Sequence, residues 1–99
     1  MSELFIKDEY LKMLCDIFSQ YCPHAEVWAY GSRLNGNAHE GSDLDLVVKS
    51  FNEANKNINE LKELIRESNI PFLVDINLYT SLPQSFQEEI NKKYIKIFI

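Results

Sequence analysis

The sequence predicts a small α/β (α+β) domain, a mixed β-sheet of about three strands flanked by about four helices. Three observations predict this class. Segments with apolar residues at helical spacing alternate with short apolar runs of strand length, an order that lays helices over a sheet. Only three Gly and three Pro occur, so helix and strand fill most of the length. The 99 residues leave too few for a second core, so residues 1–99 are expected to form one domain.

The elements follow in order. Residues from about Ser2 to Tyr21 read as a helix, with Ile6, Tyr10, Met13 or Leu14, Ile17 and Tyr21 on one stripe widened by Leu11 and Phe18. Ser2 serves as N-cap and Pro23 stops the continuation. Ala25 to Tyr30 is an apolar, aromatic run that reads as a buried strand ending at Gly31. Ser32 to Ser42 is polar and glycine-punctuated, with room for a turn or two of helix. Asp43 to Lys49 alternates and then becomes apolar, which suits a strand entering a covered sheet. Asn52 to Asn69 is a second amphipathic helix with Ile58, Leu61, Leu64 and Ile65 on its buried face. Phe72 to Tyr79 reads as a third strand, and Pro83 starts a last helix holding Phe86, Ile90 and Tyr94. The long helix between the second and third strands suits a crossover, whereas the shorter link between the first two suits antiparallel neighbours.

Composition narrows the function. A net charge of −5 disfavours direct nucleic-acid binding, which needs a basic face to displace counterions. A nucleotide ligand is still compatible, because a divalent metal reverses the local sign of a site. The basic cluster Lys92, Lys93 and Lys96 reads as a solvated helix face. Cys15 and Cys22 are too few for a disulfide framework, and Cys15 lies on the helical stripe as a core thiol. No run is long and apolar enough for a membrane span, and the N-terminal residues lack signal-peptide order, so a cytoplasmic protein is expected.

The informative stretch is Gly31-Ser32, ten intervening residues, then Asp43-Leu44-Asp45. Gly31 lets backbone N–H groups approach a phosphate, and Ser32 adds a hydroxyl donor. A short helix from Ser32 to Ala38 would aim its N-terminus at the same anion. Asp43 and Asp45 lie two apart on a strand, so their side chains share a face about 6.6 Å apart along the backbone. Two or three carboxylates suffice for Mg²⁺, which takes its other ligands from water and phosphate oxygens. Asp75 supplies the third, because Leu73, Asp75, Asn77 and Tyr79 share one face of the third strand. A charge within a covered strand is costly unless it is paired or metal-bound. The alternative for Asp75 is an ion pair with a lysine or arginine, and an isolated DxD more often marks a turn. The joint pattern carries the reading.

Competing motifs fail on their residues. Gly31 to Gly36 matches the start of a P-loop, but Asn37-Ala38 replaces the lysine and hydroxyl residue that contact phosphate and Mg²⁺. Val47 and Val48 stand where an EF-hand needs a ligand and a glycine. His24 and His39 lack zinc spacing and read as surface loop residues.

Gly31-Ser32-Arg33, the ten-residue spacer, Ser42-Asp43-Leu44-Asp45-Leu46 and Val74-Asp75-Ile76 resemble the signature of the DNA polymerase β-like nucleotidyltransferase superfamily. Length and element order more narrowly resemble the minimal nucleotidyltransferases that act as antitoxins beside HEPN-domain toxins. The resemblance implies the nucleotidyltransferase fold and transfer of a nucleoside monophosphate, AMP from ATP or another triphosphate. It implies that Gly31 and Ser32 hold the triphosphate, with Ser42 beside them, and that Asp43 and Asp45 bind two Mg²⁺ ions. Asp75 would bind one ion and activate the acceptor hydroxyl. Arg33 falls at a position often basic in the group, where phosphate contact and a surface role are both open. The chain has no mass to spare for an acceptor domain, so the acceptor is expected from a partner. The resemblance points to a tyrosine of a HEPN toxin, with a hetero-oligomer or homodimer as the assembly. Two alternatives stay open: transfer to a small molecule such as an aminoglycoside, and a non-enzymatic module that occludes a toxin.

Overall fold

The computed structural model describes residues 4–34 and 41–99. Its elements run α1 (Asp8–Tyr21), β1 (Glu26–Tyr30), a 3-10 turn (Ser32–Leu34), β2 (Leu44–Ser50) and α2 (Ile58–Arg66). They continue with β3 (Val74–Leu78), a second 3-10 turn (Tyr79–Ser81), α3 (Gln84–Lys92) and β4 (Ile95–Phe98). The four strands form one sheet in the order β3-β2-β1-β4. β1 runs antiparallel to both β2 and β4, whereas β2 and β3 are parallel and joined through α2. The mixed sheet and both connections agree with the sequence reading.

The counts differ slightly: four strands stand where about three were expected, and three α-helices with two 3-10 turns stand where about four helices were. The helix expected through Tyr94 stops at Lys92, because Lys93 is extended at φ −157° and ψ 112°. Ile95 to Phe98 then pairs with the free edge of β1. Its two apolar isoleucines flanking Lys96 are too short a run to stand out after a helical stripe.

Strand alternation sorts the side chains onto two faces. On one face Leu14 and Phe18 of α1 and Leu61 and Ile65 of α2 pack over Val27, Ala29, Leu44, Leu46, Val48 and Ile76. Each Val, Leu, Ile or Phe among them contributes roughly 1.5–3 kcal/mol by leaving water. The other face carries a smaller layer of Trp28, Tyr30, Val47, Tyr79 and Ile90. There Trp28 stacks on Tyr94 with ring centroids 3.9 Å apart and planes 11° apart. Lys49 Nζ lies 4.1 Å from the Tyr79 ring centroid, which keeps the charged end of β2 compatible with an aromatic wall.

Several helix ends depart from the apolar pattern for local reasons. α1 begins at Asp8, since the Phe5 N–H donates to the Arg33 carbonyl at 2.7 Å and holds Leu4 to Lys7 off the helix. Ser2, the expected cap, lies outside the described residues. α2 begins at Ile58, because Asn52 and Asn55 take left-handed φ values of 58° and 68°. Asn57 is its cap, with Oδ1 accepting from the Asn59 N–H at 2.7 Å. Leu64, expected on the buried face, is 41% exposed.

The thiols and cations also resolve differently. Cys22 is the fully buried thiol, and burial pushes it up to about 11. Cys15 is half-buried, with Sγ donating to the Ile97 carbonyl at 3.5 Å. The lysine cluster is not one helix face. Lys92 pairs with Glu89 at 2.9 Å on α3, whereas Lys96 belongs to β4 and reaches Glu26 at 3.7 Å. His24 is exposed as expected, and His39 lies outside the described residues. No helix among the described residues is long and apolar enough to cross a membrane.

Candidate active site

β1 ends at Tyr30, and the chain turns at Gly31 with φ +88°. A Cβ there would overlap Asp45 Oδ2 and lie 3.1 Å from Asp45 Cγ. Glycine is thus required twice at this point, once for the left-handed backbone and once for the carboxylate beside it. The turn closes with the Leu34 N–H donating to the Gly31 carbonyl at 3.0 Å, and Ser32 stands exposed at its start. Only one turn, Ser32–Leu34, is helical here, and the rest of the expected short helix to Ala38 lies outside the described residues. A single turn gives little dipole, so the expected helix N-terminus reduces to the Gly31-Ser32 corner.

Asp45 points away from its buried neighbours Leu44 and Leu46, onto the sheet face that carries Tyr30 and Val47. In the parallel ladder its Cα partner is Asp75, so the two aspartates stand side by side on adjacent strands. Asp43 precedes β2 by one residue, with the same strand parity as Asp45, and is exposed. Asp75 corrects one premise of the sequence reading. β3 is an edge strand and Asp75 is exposed, so no burial cost forces a partner on it. Its Oδ1 accepts from Asn77 Nδ2 at 3.2 Å, and among the described residues it forms no ion pair with lysine or arginine. Register, not burial, brings it to Asp45.

The three carboxylates share one field. Burial raises the Asp45 carboxyl above its ordinary value, and the charges of Asp75 and then Asp43 raise it further. Burial likewise pushes the Tyr30 hydroxyl up to about 12, helped by Asp45 and Asp75. Such a cluster favours an incoming cation. Among the described residues no three His, Cys, Asp or Glu side chains converge to hold a metal ion on their own. Carboxylate donors that leave ligand positions to water and phosphate oxygens fit a hard cation such as Mg²⁺.

A cleft of about 480 Å³ opens over these groups, lined by Tyr30, Gly31, Leu34, Asp45 and Asp75 and by Phe86, Glu89, Ile90 and Lys93 of α3 and its cap. Its volume is within the range of small-molecule sites. The α3 wall was missed in the sequence. Residues 86, 89, 90 and 93 recur at helical spacing, a signal read there as core packing and a solvated basic face.

Arg33 requires a correction. A surface role does not fit its burial, since Arg33 is only 2% exposed. Nε and Nη2 donate to the Ser42 carbonyl at 2.9 and 2.7 Å, and Nη1 donates to the Phe5 carbonyl at 2.7 Å. The guanidinium also lies 4.1 Å from the Phe72 ring centroid. Arg33 therefore ties the turn after β1 to the entries of β2 and β3, and so positions Asp43 and Asp75 indirectly. Ser42, expected near the nucleotide, offers its carbonyl to this arginine, and its side chain is half-buried.

A glycine corner, an in-register aspartate pair and a third acid one residue before the strand stand together at one end of the sheet. Residues 12–99 match the family described as "Polymerase beta, Nucleotidyltransferase". The chain belongs to this family and is a nucleotidyltransferase. Its relatives include a protein from Haemophilus influenzae named "Probable protein adenylyltransferase MntA". The two are 37% identical over 97 residues, covering 97% of this chain and 85% of the relative. The resemblance to minimal nucleotidyltransferases is thereby borne out.

Proposed function

We propose that this chain transfers AMP from ATP to a hydroxyl of a partner protein, a tyrosine of a HEPN toxin, and thereby acts as its antitoxin in the cytoplasm. The observation that carries the reading is the Asp45–Asp75 register beside Gly31. The name of the Haemophilus relative supports a protein as acceptor. Gly31, with no Cβ, gives the triphosphate close access to backbone N–H groups, and the exposed Ser32 hydroxyl adds a donor. Asp43, Asp45 and Asp75 would hold Mg²⁺, two ions by family resemblance, which when bound neutralises triphosphate charge and polarises the reacting oxygens.

The acceptor oxygen attacks the α-phosphorus, and the bond to the pyrophosphate oxygen breaks. The acceptor proton passes to Asp75 Oδ2, the oxygen not engaged by Asn77. Asp75 suits this role because an exposed edge strand is reachable by a macromolecular hydroxyl. Asp45, partly buried, serves the nucleotide side.

The test is to incubate the chain with ATP, MgCl₂ and the proposed HEPN toxin partner, then weigh the toxin and map any adduct. The reading expects the mass of AMP on a tyrosine, lost in Asp43→Asn and Asp45→Asn. Neutralisation of the toxin that survives both substitutions without an adduct would favour occlusion. Modification of an aminoglycoside, with the toxin untouched, would favour the small-molecule alternative.

A further inference from the structure

We infer that Lys93 binds the phosphates of the nucleotide from the α3 side of the cleft, an inference that rests on the nucleotidyl-transfer reading. α3 ends at Lys92, and Lys93 is its C-cap, on the same helical face as Phe86, Glu89 and Ile90. That face forms the wall of the cleft that also holds Gly31, Asp45 and Asp75.

Charge on the cleft wall is one-sided. Asp45, Asp75 and Glu89 are acidic, and Lys93 is the one cation lining the cleft among the described residues. The C-terminal end of α3 adds carbonyls and a negative dipole end at this rim, which repels a phosphate unless a cation stands there. Divalent cations at the aspartates would offset charge on that side only. A triphosphate spanning the cleft therefore needs a positive group on the opposite wall.

Other basic side chains nearby have contacts of their own, among them Lys62, which donates to Asn77 Oδ1 at 3.4 Å, and Lys49, which lies over the Tyr79 ring. Lys92 is paired with Glu89 at 2.9 Å, and Lys96 lies 3.7 Å from Glu26. Arg33 is buried on two carbonyls. Among the described residues Lys93 Nζ has no hydrogen-bond or ion-pair partner, so no intramolecular contact must break before it takes a phosphate. A lysine acts here as a mobile point charge on a flexible stem, a role that does not demand fixed geometry in the free protein.

The test measures binding of α,β-methylene-ATP with MgCl₂ by calorimetry to the wild-type chain, Lys93→Ala, Lys93→Arg and Lys12→Ala. Lys12 is an exposed α1 residue paired with Asp16, so its substitution matches the change in net charge away from the cleft. Lys93→Ala is expected to raise the Kd at least tenfold, about 1.4 kcal/mol. Lys93→Arg should recover most of that loss, and Lys12→Ala should stay within twofold of wild type. With a transferable acceptor, Lys93→Ala should raise the KM for ATP more than it lowers kcat. Lys93→Ala binding within twofold of wild type, or matched by Lys12→Ala, overturns this inference and leaves the transfer reading standing. Absence of binding by the wild-type chain overturns both.

Discussion

Replacing Gly31 by alanine probes the corner on which the site depends, and the structure allows its cost to be divided in two. The backbone part comes from φ +88°, which costs an L-residue about 1–2 kcal/mol. The steric part comes from Asp45, whose Oδ2 occupies the space of the new methyl group. Asp45 must then leave its rotamer, at about 0.5–1.5 kcal/mol. The sum is about 1.5–3.5 kcal/mol, which lowers the Tm of a domain this size by roughly 6–28 °C. Asp45→Ala removes Oδ2 and Cγ and leaves only a Cβ, 3.2 Å from the added methyl position. In that background Gly31→Ala should cost only the backbone part. Thermal and urea unfolding of the four proteins of this cycle, without metal, should thus show a coupling of about 0.5–1.5 kcal/mol. Equal costs in both backgrounds, or a wild-type cost below about 0.5 kcal/mol, would refute the close packing of Gly31 against Asp45.

Asp45→Asn should abolish transfer yet leave the metal-free protein at least as stable as wild type near neutral pH. The sign follows from linkage: Asp45 has a raised carboxyl in the folded state, so the folded protein holds a proton the unfolded chain has released. Stability therefore falls as pH rises from the ordinary aspartate range through the raised value, and is flat above it. Thermal unfolding from pH 3 to 7 in EDTA checks this, and a variant markedly less stable than wild type at neutral pH would contradict it. Arg33→Lys should destabilise by about 2–4 kcal/mol, because one ammonium cannot replace a fork shared between two carbonyls and stacked on Phe72. Urea unfolding reads this, and a loss under about 1 kcal/mol would show that Arg33 does not tie the loops together.

Much of this architecture is written in patterns of two and of 3.6. Alternation in residues 44–48 and 74–78 placed Asp45 and Asp75 on strands, and the α2 crossover made those strands parallel neighbours. The register that sets the two carboxylates side by side could not be read, since it depends on how α2 packs. The burial argument for Asp75 does not hold: its strand is apolar in sequence because one face is covered, but its own face lies open at the sheet edge. Arg33 was legible as a basic residue after Gly-Ser and illegible as a buried tie, because its partners are the distant carbonyls of Phe5 and Ser42. β4 was hidden by its brevity, and the start of α2 by two asparagines in left-handed turns. The cleft wall on α3 shows the same limit. Helical spacing tells which residues share a face, but only the sheet topology tells what that face meets.

If aspartates from two strands serve one centre for nucleotidyl transfer, the position of an isotope in ATP decides whether it reaches the acceptor. ATP labelled at the α-phosphate and ATP labelled at the γ-phosphate are supplied in parallel, with MgCl₂ and the proposed partner toxin, to wild type, Asp45→Asn and Asp75→Asn. Wild type should move only the α-label onto the partner, and both variants should move neither. Transfer of the γ-label, or α-label transfer undiminished in Asp75→Asn, would contradict it.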